Sequence, residues 1–222
     1  MDKRSFSKDF TLTVNDLNEK ITNATLSPSS INENVTAGST VGTVKAVDED
    51  TADTYTYSLL SVNDYTKFAL DGDTLKLAAT FSPNYETKNS YIVVIRATDA
   101  ASHTYDRDLV VSINDVNEYP THTASNCCSV AENGTAVATL AATDADSLGL
   151  TFSLHPDSTD GSKFSITSEG VLTFLRAPDY ESPSDGGGDN TYEFAIIVSN
   201  GKLSTVRHIV VTVTDVEEVG GI

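Results

Sequence analysis

The chain repeats itself about every hundred residues, and the repeated letters are mostly acids. Ile31-Asn32-Glu33-Asn34 returns as Val130-Ala131-Glu132-Asn133, 99 residues on (132 − 33). Val47-Asp48-Glu49-Asp50 returns as Thr143-Asp144-Ala145-Asp146, 96 on (144 − 48). Asn84-Tyr85-Glu86 returns as Asp179-Tyr180-Glu181, 95 on (181 − 86). Val14-Asn15-Asp16-Leu17-Asn18-Glu19 occurs again as Ile113-Asn114-Asp115-Val116-Asn117-Glu118 and as Val213-Thr214-Asp215-Val216-Glu217-Glu218. A period this long is a whole domain, since solenoid units run to only about 20–50 residues. Each copy must therefore bury its own core, and 222 residues hold two copies and a fragment. The expected division is a remnant over 1–18, a first repeat over 19–118 and a second over 119–222.

Between the acidic motifs the pattern is alternation. Tyr91-Ile92-Val93-Val94-Ile95-Arg96-Ala97 and Leu109-Val110-Val111-Ser112-Ile113 are β-branched runs bounded by turn residues. Tyr192-Glu193-Phe194-Ala195-Ile196-Ile197-Val198 and His208-Ile209-Val210-Val211-Thr212-Val213 are their counterparts in the second copy. Short strands between Gly, Asn, Asp and Ser clusters argue for all-β sandwiches. No amphipathic pattern predicts a helix of ten or more residues. Asn200-Gly201 predicts a hairpin, and Ser184 to Asp189 reads as a flexible loop tip. Asp115 to Glu118 joins the repeats with no Gly/Ser spacer, so they are expected end to end. Residues 6–19 parallel the final strand and linker of a repeat and read as the severed last strand of an upstream domain. Alone, that strand should be mobile or pair with an exposed edge.

The formal net charge is −18, with 14 Lys and Arg against 32 Asp and Glu. A chain without a basic patch cannot displace counterions from phosphate, which argues against nucleic-acid binding. The acidic surface also avoids anionic membranes. No run of residues is long and apolar enough to span a bilayer, and no signal peptide precedes the first strand-like segment. The two cysteines, Cys127 and Cys128, are neighbours. That spacing does not fit a zinc site, and the reading is one side chain inward and one outward on a strand.

Nothing in the chain reads as an enzyme. His103, His122, His155 and His208 fall in different segments without a motif. There is no nucleophile elbow and no phosphate loop. Paired carboxylates can hydrolyse glycosides, but here the acids recur in both copies. Hard cations such as Ca2+ take six to eight oxygens from Asp, Glu, Asn and backbone carbonyls, which suits recurring scattered carboxylates better. Three segments fit the glycosylation pattern, Asn23-Ala24-Thr25, Asn34-Val35-Thr36 and Asn133-Gly134-Thr135. A competing reading is a carbohydrate-binding module that attaches its parent protein to polysaccharide. There is no Trp, so its platform would have to come from Tyr55, Tyr57, Tyr65 and Tyr105, which alternation places in the core as readily as outside.

In fixed order, Glu33-Asn34, Asp48-Glu49-Asp50, Asn84-Tyr85-Glu86, Ala97-Thr98-Asp99 and the Asp-x-Asn-Glu linkers resemble the cadherin repeat, in particular its bacterial branch. The resemblance covers nearly all of residues 19–218. It implies two tandem seven-stranded Greek-key β-sandwiches of Ig-like architecture, joined by Ca2+ at the junction. Carried over residue by residue, it implies ligands Glu33, Asn84 and Glu86 from the first repeat. The linker would add Asp115, Asn117 and Glu118, with backbone oxygens of Val116 and Tyr119. The second repeat would add Asp144, Asp146 and Asn200. An upstream half-site would keep Asn18, Glu19, Asp48, Asp50 and Asp99. At the far end Glu132, Asp179, Glu181 and Glu218 would await a further repeat. Asn84, Asn200 and Glu118 depart from the family's usual Asp, and an uncharged amide ligand should weaken the ion's hold. The function so implied is that of a calcium-binding domain pair in a secreted or membrane-anchored surface adhesin. Its partners would be calcium ions and other copies, other cells or a matrix.

Overall fold

The computed structural model describes residues 1, 4–15, 17–50, 53–123, 127–146 and 149–217. The chain divides into two compact units, Met1–Val116 and Asn117–Ile222. In the first, β1 (Asn23–Ser27), β3 (Thr40–Val47), β6 (Thr74–Leu77) and β5 (Phe68–Asp71) form one antiparallel sheet in that order. The facing sheet runs β2 (Ser30–Asn32), β8 (Thr104–Asn114), β7 (Ser90–Thr98), β4 (Thr56–Leu59). The opening strand is thus split, and each half joins a different sheet. Its second half, β2, pairs in parallel with β8 and sets Ile31 beside Ile113. Gly42 permits the crossing: a Cβ there would lie 2.0 Å from the Pro28 carbonyl oxygen. The register of β3 on β6 slips at the same place, between Thr40 and Gly42.

The second unit repeats this plan. β10 (Cys127–Ala131), β17 (Ser204–Thr214), β16 (Thr191–Ser199) and β13 (Thr151–Leu154) form one sheet, again with a parallel first pair. β11 (Ala136–Thr139), β15 (Val171–Phe174) and β14 (Phe164–Ile166) form the other. β9 (Thr121–His122) pairs with β12 (Ala142–Thr143). Among the described residues the helical segments are two 3-10 turns, Tyr65–Lys67 and Gly161–Lys163. Among the described residues no helix is long and apolar enough to cross a membrane.

Alternation decides which side chains fill each sandwich. On β7 Tyr91, Val93, Ile95 and Ala97 point inward, and on β16 Tyr192, Phe194, Ile196 and Val198 do the same. Tyr91, Val93 and Ile95 meet Leu75 and Val111 in one core, Ala97 packs on Ile21 and Ala46, and the four residues of β16 meet Leu172 and Val211 in the other core. Burial stabilises by about 1.5–3 kcal/mol per large apolar side chain, and Ile95→Ala or Ile196→Ala should cost about 2–5 kcal/mol.

Three local expectations have plain outcomes. The Asn200-Gly201 hairpin forms, with Gly201 at φ +87° and the Asn200 N–H donating to Leu203 O at 3.1 Å. The loop after Ser184 is tied down rather than loose. Buried Asp160 accepts the N–H groups of Gly186 and Glu193, both at 2.8 Å, and buried Asp185 accepts those of Asp189 and Asn190, both at 3.1 Å. Among the described residues of 6–19 no strand pairing forms, the unpaired alternative of the two expected for this segment. Phe6, Phe10, Leu12 and Val14 stand exposed, because a lone strand with one apolar face has no sheet to bury it. Cys128 is half-buried on β10; the side chain of Cys127 lies outside the described residues, as do Asp16 and Glu218.

Candidate metal centres

Two kinds of oxygen-rich group occur, and each is present in both units. The first is built on the outgoing linker. Parallel pairing of β2 with β8 carries the chain from Ile31 to Glu33 beside Asn114, whose carbonyl accepts the Glu33 N–H at 3.1 Å. The Glu33 side chain is 2% exposed and accepts two backbone N–H groups, from Tyr85 at 2.7 Å and Val116 at 2.8 Å. It thereby fixes the Asn84-Tyr85-Glu86 turn and the linker at once. Carboxylate oxygens of Glu33, Glu86 and Asp115 lie within 4.8 Å of one another, the latter two exposed. In the second unit Glu132 accepts from Tyr180 at 2.8 Å and Val216 at 2.9 Å, and groups with Glu181 and Asp215. Those two N–H groups hold the Glu132 carboxyl below its ordinary range.

The second kind is built on the incoming linker. The Glu19 N–H donates to Asp50 Oδ2 at 2.7 Å and the Asp50 N–H to Asp48 Oδ1 at 3.3 Å. Asn18 Nδ2 donates to Glu19 O and to Asp99 Oδ2, both at 2.9 Å. Burial pushes the Asp99 carboxyl up, but donors from Asn18 and His103 outweigh it and leave it below its ordinary value. In the second unit Glu118 N–H reaches Asp146 Oδ2 at 3.0 Å, and Asp146 N–H reaches Asp144 Oδ1 at 3.1 Å. Asn117 Nδ2 donates to Glu118 O at 3.0 Å.

The two incoming groups differ most at one position. Asp99 is replaced by Asn200, whose Oδ1 is taken by the N–H groups of Lys202 (3.0 Å) and Leu203 (2.8 Å). Its Nδ2 is therefore turned into the group, donating to Asp144 Oδ2 at 2.9 Å, Glu118 O at 3.0 Å and Asn117 Oδ1 at 3.3 Å. Asn200 presents a donor where Asp99 presents a carboxylate. Asn84 also has its side-chain oxygen engaged, by the Thr87 N–H at 2.7 Å.

The donor set suits a hard divalent cation. Carboxylates predominate in each group, and among the described residues no cysteine belongs to one. Among the described residues Asp48 Oδ2 is buried with no hydrogen-bond partner, an arrangement that costs free energy unless a cation or donor reaches it.

The cadherin-domain family model matches residues 27–114, from the end of β1 to the end of β8. The second unit repeats the four-stranded sheet with its parallel pair and has equivalent acidic groups. The chain is built of cadherin repeats. Human Cadherin-23 is 32% identical over 168 residues, covering 71% of this chain and 5% of that protein. The Protocadherin-like wing polarity protein stan of Drosophila melanogaster is 25% identical across 97% of this chain. The chain spans only 4–6% of the length of the curated relatives it matches. The crystal structure of human Protocadherin-24 EC1-2, form II, matches over 87% of this chain and 99% of that one, with TM-score 0.63 and 22% identity, a likeness of fold.

Within each cadherin repeat the residues read from sequence fall into these groups: Glu33, Glu86 and Asp115 in one, Asn18, Glu19, Asp48, Asp50 and Asp99 in another, and Asn117, Glu118, Asp144, Asp146 and Asn200 in a third. Asn84 stands in the turn between Glu33's partner Tyr85 and the preceding proline. Sequence reasoning missed His103, whose Nδ1 is 2.8 Å from Asp99 Oδ2 and 3.2 Å from Asn18 Nδ2. Its only signal was its place at the end of the hairpin turn that begins at Asp99. It also missed the Val116 and Val216 amides, which no side-chain motif reveals. Of the tyrosines of the carbohydrate reading, Tyr65 stands exposed in the first 3-10 turn and the other three are half-buried. Tyr55, Tyr57 and Tyr105 pack on Ile21, Ala46 and Ala97, with Tyr57 Oη accepting the Ala46 N–H at 2.8 Å.

Proposed function

We propose that this chain is a calcium-binding segment of an extracellular adhesion protein, in which Ca2+ stiffens the linkage between cadherin repeats. One observation carries the reading. A buried carboxylate, Glu33, ties the linker to the turn that bears Glu86, and the whole arrangement recurs at Glu132. In such a group like charges are held together by backbone donors. Without a cation the negative oxygens repel, while a divalent ion turns the repulsion into attraction. Glu33, Asn84, Glu86, Asp115, Asn117, Glu118, Asp144 and Asp146 would supply the oxygens. Asn200 would join only by exchanging its bonds to Lys202 and Leu203. The residues Asn18, Glu19, Asp48, Asp50 and Asp99 would serve the preceding linkage.

Stiffness is what a long adhesive chain needs from each link, and partners would be further copies, other cells or a matrix. Secretion or membrane anchoring would belong to the parent protein, and a bacterial source rests on the sequence reading alone. Calorimetric titration of the chelator-treated chain tests the calcium step, with an expected Kd of about 10^-5 to 10^-3 M, as for extracellular modules. Small-angle scattering tests the stiffening: a narrower, longer particle is expected with Ca2+, at unchanged far-ultraviolet circular dichroism. No heat and no change in melting at 10 mM Ca2+ would sink the reading.

A further inference from the structure

The two repeats also differ at a place beside the turn that carries Asn84 in one and Asp179 in the other. In the first, Lys67 Nζ lies 5.1 Å over the ring of Phe81, which also meets Phe68 at 6.3 Å and Tyr91 at 5.4 Å between centroids. Backbone bonds fix the counterparts. Ala78 N–H to Lys67 O corresponds to Leu175 N–H to Lys163 O, and Asn34 N–H to Pro83 O corresponds to Asn133 N–H to Pro178 O. Tyr91 faces Val111 as Tyr192 faces Val211. Four residues, 79–82, separate Ala78 from Pro83, but only Arg176 and Ala177 separate Leu175 from Pro178. The shorter connection has no equivalent of Phe81.

Phe174 makes good the loss inside the sandwich. Its ring is 4.3 Å from Phe164 and 5.1 Å from Tyr192, on the core face of β15 and 4% exposed. Outside, nothing does. Among the described residues no ring lies beneath Lys163, and neither Lys163 nor Arg176 has an ion-pair partner. What remains is a cavity of about 470 Å³ lined by Lys163, Phe174, Leu175, Arg176, Ser184 and Tyr192, with Asp179 as its one acid. Two unpaired cations share this opening in a chain of net charge −18.

We propose that this cavity binds an aromatic side chain flanked by a carboxylate on a partner polypeptide. The ring would lie under the Lys163 ammonium as Phe81 lies under Lys67, held by the attraction of a cation for a ring face. The carboxylate would pair with the Arg176 guanidinium, whose planar fork suits two-point contact. Ser184 Oγ, 3.2 Å from Tyr192 Oη, leaves hydroxyl capacity for the ligand's remaining polar atoms. In the first repeat Phe81 itself occupies the corresponding position.

The test is an amide-shift NMR titration of the whole chain with N-acetyl-phenylalanine. Three controls accompany it: the corresponding amide (ring without charge), N-acetyl-leucine (charge without ring) and glucuronate (a sugar acid). Saturable shifts are expected at Lys163, Leu175, Arg176 and Ser184, with affinity in the millimolar range of a small fragment. Loss of either the charge or the ring should weaken binding at least about threefold. Arg176→Gln, at an exposed position, should do the same as loss of the ligand's charge. Replacing Arg176-Ala177 by the first repeat's Ala79-Thr80-Phe81-Ser82 should abolish binding by filling the cavity. The proposal is overturned if shifts never saturate, if Arg176→Gln binds as the parent does, or if glucuronate binds as well as the aromatic acid.

Discussion

Glu86→Gln isolates the charge in the outgoing group of the first repeat while keeping shape and hydrogen-bonding capacity. Its carboxylate shares a 4.8 Å neighbourhood with those of Glu33 and Asp115. At that separation a like-charge pair in water-like surroundings costs about 1 kcal/mol. Two pairs are relieved, but Glu86 is exposed and can swing outward, so the net gain in chelator should be about 1 kcal/mol. For a domain of this size that raises the melting temperature by about 4–8 °C. Calcium should reverse the advantage. With Kd of about 10^-4 M, 10 mM Ca2+ stabilises the parent by about 2.7 kcal/mol. A tenfold weaker site in the variant would yield about half of that. Scanning calorimetry in low-salt chelator and in 10 mM Ca2+ reads both effects against the parent chain. At 1 M salt, where the screening length falls to about 3 Å, the chelator-state gain should vanish. If Glu86→Gln melts below the parent in chelator, or keeps the parent's full calcium shift, these three carboxylates do not form a metal centre.

Other outcomes follow from the same geometry. Glu33→Ala should destabilise the first repeat even in chelator, by about 2–4 kcal/mol, because the Tyr85 and Val116 N–H groups lose their acceptor; denaturant unfolding reads it, and the second repeat should be unmoved. Asn200→Asp replaces an inward-facing donor by a carboxylate beside Asp144; the variant should be less stable in chelator yet bind Ca2+ about tenfold more tightly by calorimetry. His122 has its pKa held below 6.5, by burial first and by the charge of Arg207 second, and its buried Nε2 has no hydrogen-bond partner among the described residues. The stability from keeping that ring neutral is complete above pH about 6.5 and is lost as pH falls through the lower folded-state value. Thermal melts between pH 7.5 and 5.5 should show the loss for the parent and a flatter profile for His122→Leu.

The strands were legible because burial on one face imposes period two, as on β7 and β16, where every second residue points into a core. The acidic groups were legible because their side chains recur in register: Glu33 and Glu132 stand 99 residues apart and accept equivalent pairs of backbone donors. What sequence could not convey was direction. Asn-Gly at 200–201 announces a hairpin, but only the hydrogen bonds from Lys202 and Leu203 show which end of the Asn200 amide faces the oxygens. His103 escaped notice for the related reason that a histidine four residues past an aspartate has no motif; the hairpin brings them together. The glycine-rich stretch at 186–188 read as loose because composition does not reveal a buried Asp160 or Asp185 accepting its backbone.

The contrast between Glu33 and Asn200 shows how the repeat divides its labour. Glu33 is held from both sides by backbone N–H groups that exist because the sandwich is folded, so its position does not depend on any ion. It anchors the linker in either state. Glu86 and Asp115 are exposed and owe their proximity to that anchor. Their charge is then the adjustable part: substituting it changes what the group binds without loosening what holds it. Asn200 is such a substitution already present in the sequence, since the hairpin that fixes it is preserved while a carboxylate has become a donor. On the proposed calcium role, a fold that fixes these side chains by backbone hydrogen bonds would let single acid-to-amide changes vary metal affinity from one linkage to the next, and a long chain of repeats would be stiff at some links and compliant at others.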